Sequence, residues 1–360
     1  MAHKKNNRKG KGTRTVLIVL IVLLSLLLTT VVGGLVYVEN VLGGINNFGP
    51  FRELTEEEIA ALESQEGADS YEGPLVSDDL NLVDSKEETI TYSDDIINIL
   101  LIGQDTRDAK QKGLTDTLIL VTVNTQTKKL VMTSFLRDMW VQIPAKNGNG
   151  TYGQRINTAY PVGGLQRLTD TLKLNFGLKV DHSIEIDFSG FKQVVDALGG
   201  VEIELTAAEA KHMNDQYGWG SRLSEGTRLL NGEEALAYAR IRYIDNDIQR
   251  SNRQRTVLTK LFEMIKDINL TEANKLVNAF VPLITTDMTN SDIVNYVVEL
   301  LPLLPELEII TQRIPAGDAT TDGYYNWANK GTEEEPTYVI IPNLENNRKL
   351  LEQTIGAEAE

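Results

Sequence analysis

His182–Leu205, HSIEIDFSGFKQVVDALGGVEIEL, decides the fold class. Its first residues alternate with period two, Phe188 to Leu198 carry apolar residues at helical spacing, Gly199 and Gly200 stop the helix, and VEIEL alternates again. Strand, helix and strand in 24 consecutive residues make an α/β unit.

Towards the N-terminus, IINILLIG (96–103) is a short apolar run ending in glycine, which reads as a buried strand. TLILVTVN (117–124) and KLVMTSF (129–135) are β-rich runs joined by a turn over Asn124 to Lys129, a hairpin. WVQIP (140–144) is a short strand closed by Pro144, followed by a polar loop from Ala145 to Gly153. Leu165 to Phe176 predicts a helix stopped at Gly177.

Towards the C-terminus, a polar and aromatic loop over Asn214–Ser224 leads to LNGEEALAYAR (230–240), where Asn231 caps a helix and Glu234 sits three residues on. A long helix is expected from about Asp247 to Ile268, with amphipathic helices over Thr271–Phe280 and Ser291–Leu301. A strand near Leu307–Ile314 and a last strand and helix from Tyr338 complete the pattern. The expectation is one α/β domain over 93–355, a mixed sheet sandwiched by helices as an α/β/α structure.

The N-terminal segment sets the expected topology. Thr15–Val38 is 24 residues without a charge, enough to cross a hydrocarbon core of roughly 30 Å. Lys4, Lys5, Arg8, Lys9, Lys11 and Arg14 precede it without an acidic residue, which by the positive-inside rule keeps the N-terminus cytoplasmic. The chain therefore divides into a basic cytoplasmic tail (1–14), a single-pass transmembrane anchor (15–38), an acidic extracellular spacer (39–92) and an extracellular domain. A short helix is possible in the spacer over Thr55–Glu63.

The formal charge is −16, and without the six N-terminal cations the external part is near −22, so nucleic acid is an unsuitable partner. No cysteine is present, which removes disulfides, thiolate metal sites and a cysteine nucleophile, and agrees with a Gram-positive-type surface. The chain has no Walker phosphate loop, no H-E-x-x-H and no G-x-S-x-G. His182 and His212 belong to no recognisable triad and read as structural.

Against that acidic background YARIRYIDNDIQRSNRQRTVLTKL (238–261) carries Arg240, Arg242, Arg250, Arg253 and Arg255. At about 100° per residue, Arg250, Gln254, Val257, Leu258, Leu261 and Ile265 share one core-facing stripe. An inward guanidinium needs a fixed anion, either a ligand phosphate or a carboxylate such as Asp245 or Asp247. Arg253 and Arg255 flank the stripe at roughly 300° and 140° and are expected to face solvent or to support the site from behind. Acidic and basic residues also gather at strand ends: Asp105 and Arg107 after the first strand, Asp116 before the second, Arg137 and Asp138 after the third. Two carboxylates with arginines suit a hard divalent cation, Mg²⁺ or Mn²⁺, together with a phosphate.

In order behind the anchor, NILLIGQDTR, TDTLILVTVN, SFLRDMWVQIP, RINTAY, DFSGFKQVVDALGGVEI and LNGEEALAYARIRYIDNDIQRSNRQR resemble the LytR-CpsA-Psr family of bacterial cell-wall glycopolymer ligases. The resemblance implies a polyprenyl-phosphate lipid threading a hydrophobic pocket, its pyrophosphate head meeting an arginine cluster with Mg²⁺. It carries the metal-associated carboxylates to Asp105 and Asp116, and the head-group ligands to Arg137, Arg240, Arg242, Arg250 and Gln254, with Arg107 at a commonly basic position. Asp247 takes the place of a motif acid, with Asp245 beside it. The acceptor hydroxyl must lose a proton, and Asp138 and Asp247 are the candidate bases.

The implied activity is transfer of an anionic glycopolymer, wall teichoic acid or capsular polysaccharide, from undecaprenyl pyrophosphate to peptidoglycan. A polyprenyl-pyrophosphate phosphatase, with water as acceptor, and a non-catalytic lipid-binding regulator of the cell envelope are the rival readings.

Overall fold

The computed structural model describes residues 43, 46–48, 89–104, 114–145, 150–242, 244–265, 280–300, 303–317, 324–329 and 338–356. The expected tail, anchor, nearly all of the spacer with its short helix, and the helix expected over 271–280 apart from Phe280 lie outside them. Among the described residues no helix is long and apolar enough to cross a membrane.

Seven strands form the central sheet: β1 (Asn46–Asn47), β2 (Ile96–Gln104), β3 (Thr115–Asn124), β4 (Lys129–Phe135), β7 (His182–Asp187), β10 (Ile284–Thr286) and β11 (Glu308–Ile314), in the order β1-β10-β7-β2-β3-β4-β11. It is mixed: β2 runs parallel to β7 and β4 to β11, whereas β3 lies between β2 and β4 and runs antiparallel to both. Its central strands are near-continuous apolar runs because both faces are covered. Leu100 and Ile102 of β2 point into one core and Ile97 and Ile99 into another, the period-two consequence of the pleat.

The first core is closed by α1 (Ala159–Phe176) and α7 (Leu344–Ile355), through Leu168, Leu172, Phe176, Leu351 and Ile355. On the other face lie α5 (Asp247–Ile265) and α6 (Asn290–Leu300), through Leu258, Phe262 and Ile293. A third cluster joins α2 (Phe188–Ala197), the ribbon β8–β9 (Val201–Leu205, Gly226–Leu230), α3 (Ala207–Tyr217) and α4 (Gly232–Ala239) to the inner side of α5. The sheet flanked by helices on both faces is the architecture expected.

Several local readings need correction. α1 begins six residues before Leu165, with its kink at Gly164 (φ 67°), because the turn before the kink is buried against the sheet. The expected loop to Gly153 includes part of β6 (Thr151–Arg155), which pairs with β5 (Trp140–Pro144). β6, β9, β10 and β12 (Tyr325–Asn329), which pairs with β13 (Tyr338–Pro342), escape the pattern because each is five residues or fewer; β6, β9 and β12 sit in two-stranded ribbons, and β10 is flanked on its outer side by the two-residue β1. α3 runs on to Tyr217, into the expected loop, held at its start by a capping box of Thr206 and Glu209. The expected Asn231–Glu234 capping box opens α4.

α2 and α4 lie unusually close. A Cβ on Gly232 would stand 2.1 Å from the Lys192 carbonyl oxygen, and the Gly232 amide donates to Asp196 Oδ1 at 2.7 Å. Gly232→Ala is expected to destabilise the protein by about 1–3 kcal/mol through overpacking. Thermal unfolding checks it, and an unchanged midpoint would refute the close-packing account.

Candidate functional site

The site is assembled at one end of β2, β3 and β4. Gly103 pairs with Thr117 and Gln104 with Thr115, so Asp116 is an extra residue, a β-bulge inside β3 rather than the residue before the strand. Bulges re-aim side chains, and this one turns Asp116 towards the helical layer that carries the arginines. A Cβ at Gly103 would lie 2.9 Å from that of Thr117, which is why a glycine sits opposite. Asp116 Oδ1 accepts from Arg137 Nη1 at 3.1 Å and from Arg242 Nη2 at 3.5 Å.

Arg137 and Asp138 follow β4 in a turn fixed by the Leu136 amide donating to the Ile314 carbonyl. Arg137 Nε lies 3.5 Å from Asp138 Oδ2 and 3.6 Å from Asp247 Oδ1, so one guanidinium bridges three carboxylates. Arg155, at the end of β6, brings Nε to 3.8 Å from Asp138 Oδ1. Sequence reasoning missed Arg155 as a site residue, although it opens the RINTAY motif.

α5 supplies the most buried cation. Arg250 is 4% exposed, and its Nη2 lies 2.5 Å from Asp247 Oδ1 one turn away. Its Nε and Nη1 are buried with no hydrogen-bond partner. Burial pulls Arg250 below the usual guanidinium value, with Arg137 and Arg242 adding to the effect and Asp247 and Asp116 opposing it. Burial likewise pushes the Asp247 carboxyl up, reinforced by Asp138 and opposed by Arg250, Arg137 and Arg242.

Behind these charges, between sheet and helices, opens a cavity of about 190 Å³ whose surface is overwhelmingly apolar. Ile184, Phe191, Leu198, Leu258, Leu261 and Phe262 are among its walls, and Asp116, Arg240, Arg242, Arg250 and Gln254 also line it. The Arg240 guanidinium lies over the Phe188 ring at 4.4 Å, tying a polar residue of the site to an apolar one. The structure thus brings together Asp116, Arg137, Asp138, Arg240, Arg242, Asp247, Arg250 and Gln254. Asp105 and Arg107 lie outside the described residues, among which no group of three or more His, Asp or Glu could hold a metal ion.

Arg253 and Arg255 do not face solvent: both are buried. Arg253 supports the site from behind, its Nε donating to Glu209 Oε1 at 2.7 Å and its Nη1 and Nη2 to the two oxygens of Asp245. That pairing takes up Asp245, so of the two acids in YIDNDIQR it is Asp247 that stands among Arg137 and Arg250.

The family model described as LytR_cpsA_psr family matches residues 66–337. The chain belongs to that family. Its relatives include the polyisoprenyl-teichoic acid–peptidoglycan teichoic acid transferase TagU of Halalkalibacterium halodurans, 35% identical over 54% of this chain and 62% of the relative. Biofilm regulatory protein A of Streptococcus mutans is 36% identical over 47% of this chain and 44% of its own. Each is matched over less than two thirds of its length. Among solved structures, TagT bound to LIIa-WTA superposes with a TM-score of 0.57 at 25% identity, covering 76% of this chain and 96% of that one.

The Glu209–Arg253–Asp245 bridge holds the arginine-bearing turn of this LytR_cpsA_psr domain to α3. Removing one partner of such a buried pair costs about 3–5 kcal/mol, the expected loss for Arg253→Met in denaturant unfolding at neutral pH. Burial pushes the Glu209 carboxyl up, but Arg253 and Thr206 outweigh it and hold it below the ordinary 4.5. Its stabilisation is complete above that ordinary value and disappears as pH falls through the lower folded one. Glu209→Gln is therefore expected to flatten the acid limb of the stability profile; an acid limb as steep as that of the wild type would contradict this.

Proposed function

We propose that this protein is a phosphotransferase that moves an anionic glycopolymer from an undecaprenyl-pyrophosphate carrier to a peptidoglycan hydroxyl. The observation that carries the reading is the apolar cavity lined at its polar side by Arg240, Arg242, Arg250 and Gln254. A long apolar tail with a compact polyanionic head fits both halves of that surface. The relatives' names support it, since TagU is called a polyisoprenyl-teichoic acid–peptidoglycan teichoic acid transferase and the TagT structure holds LIIa-WTA.

The chemistry follows from charge. The bond between the two phosphoryl groups breaks as the acceptor oxygen attacks, and negative charge grows on the departing polyprenyl phosphate. Arginines fixed in a water-poor site stabilise that charge without reorganising. Arg250 offers two unpartnered nitrogens, Nε and Nη1, to an oxyanion, and Arg137 and Arg242 both contact Asp116. Asp247, whose proton affinity burial has raised, is the better placed carboxylate to take the acceptor proton, with Asp138 beside Arg137 as the other candidate.

Mg²⁺ belongs to the same proposal. Asp116, turned by the bulge towards the arginines, is a hard oxygen ligand, and Mg²⁺ commonly needs only one or two carboxylates when phosphates complete its shell. Asp116, with Asp105, would hold it. Bound there, it would neutralise charge on the pyrophosphate. Residues 15–38 would anchor the domain on the outer face of the cell membrane, where lipid-linked donor and peptidoglycan meet.

The test combines full-length protein, lipid-linked donor, Mg²⁺ and peptidoglycan oligomers, with mass spectrometry of the products. Polymer joined to glycan is expected; free polymer and phosphate alone would sink the ligase reading in favour of hydrolysis. Arg137→Ala should lower transfer by about 10²–10³-fold, the usual effect of losing a transition-state donor. Leu261→Trp, which fills the cavity, should abolish copurification of polyprenyl lipid from a folded protein; lipid retained at wild-type stoichiometry would place the tail elsewhere.

A further inference from the structure

We infer that Arg255 and Arg313 form a second oxyanion subsite on the opposite flank of α5, which holds a phosphate or carboxylate of the substrates beyond the pyrophosphate. The inference rests on the ligase reading above, and begins from a charge that the site as described leaves uncompensated.

Arg255 is 8% exposed, buried like Arg250 and Arg253 although slightly less deeply. Arg137, Arg250 and Arg253 each pair with a carboxylate. Arg255 has only neutral partners among the described residues: its Nη1 donates to Ser251 Oγ at 3.0 Å and its Nη2 to Asn252 Oδ1. Burying a guanidinium without a counter-ion is costly, and nothing in the helix requires it.

A second cation makes the imbalance larger. Arg313, on β11, acts on Arg255 electrostatically, and burial first and Arg313 second draw Arg255 down to about 10, still cationic at neutral pH. Arg313 is itself neutralised by no acid among the described residues. It donates to the carbonyls of Pro315 and Gly317 and lies 5.8 Å over the Tyr325 ring. Ser134 of β4 is in register with Arg313, and its hydroxyl is buried without a hydrogen-bond partner. Two cations and an unused hydroxyl at one sheet–helix seam are a recognition set for an oxyanion, which guanidinium binds in a charge-assisted, bidentate manner.

Its position gives the subsite a use. Arg255 lies roughly 140° around α5 from Arg250, so it points to β4 and β11 whereas Arg250 points to the lipid cavity. Ser134, the penultimate residue of β4, is three residues from Arg137, which places the seam next to the pyrophosphate cluster but away from the tail. A substrate group reaching it must belong to the polymer or to the acceptor. A phosphodiester of the polymer and a carboxylate of the acceptor share the required chemistry.

Calorimetric titration of the full-length protein in detergent with inorganic phosphate tests the subsite directly. Two phosphates per chain are expected for the wild type, one for Arg255→Gln, and a weakened second for Arg255→Lys. Equal stoichiometry and affinity in wild type and Arg255→Gln would overturn it. The thermal midpoint without phosphate should not fall in Arg255→Gln, because a buried cation without a counter-ion is removed; a fall with unchanged phosphate binding would make the residue structural and also overturn the inference.

Steady-state transfer separates the sources: a several-fold rise in KM for the lipid-linked donor in Arg255→Gln assigns a polymer phosphate, and a rise for peptidoglycan oligomers assigns an acceptor carboxylate. Neither rising would overturn the substrate role. Failure of the ligase reading looks different, since phosphate would still bind at Arg255 while no glycan became linked.

Discussion

Arg250 is a buried cation only partly satisfied by the protein, and much of the domain is arranged around that condition. A single close contact with Asp247 meets one nitrogen, and two other nitrogens are left without partners in a place water does not reach. An unpaired buried donor costs about 1–3 kcal/mol, more when charged, so the fold carries a standing penalty at this point. Such a penalty persists where another molecule is meant to remove it, and the cavity beside Arg250 is where that molecule would lie.

Helix α5 bears that arrangement because its faces perform separate tasks. Arg250, Gln254, Val257 and Leu261 grade from charge to apolar wall along the cavity. Leu258 and Phe262 bind the sheet, and Arg253 reaches back to Glu209 and Asp245. The last contact matters to the site indirectly. Asp245 belongs to the turn that also presents Arg240, Arg242 and Asp247, and Glu209 completes the capping box that Thr206 opens at the start of α3. The turn is thereby fastened to a rigid helix start, and the arginines lose less conformational freedom when a ligand arrives.

The sequence made the Arg250 stripe legible because helical phase is a local property: 3.6 residues per turn put Arg250 and Gln254 above Val257 and Leu261 without knowledge of the partners. The layered fold was legible for the same reason, from apolar runs such as IINILLIG and from the strand–helix–strand of His182–Leu205. The choice between solvent and a supporting role for Arg253 and Arg255 is not legible in the sequence, because their burial is decided by what packs on the far flanks of α5, namely α3 and β11, which are 44 and 58 residues away in the chain for Glu209 and Arg313. Asp116 was placed before its strand because a bulge is set by the register with β2, not by composition. Arg155 sits in a ribbon of polar residues that no apolar alternation announces.

The same electrostatics bear on which carboxylate can act as a base. The Asp247 carboxyl is held above the ordinary carboxylate range by burial and by Asp138, but Arg250, Arg137 and Arg242 pull it back. An oxyanion occupying the open nitrogens of Arg250 would offset part of that cationic influence and add negative charge near Asp247. Both effects raise the proton affinity of the carboxylate further. Asp247 would therefore be a weak base while the site is empty and a stronger one when the pyrophosphate is in place. Asp138 lies on the other side of Arg137, shared with Arg155. The coupling of basicity to occupancy needs no moving part; it follows from placing one acid against an arginine whose remaining donors await a ligand.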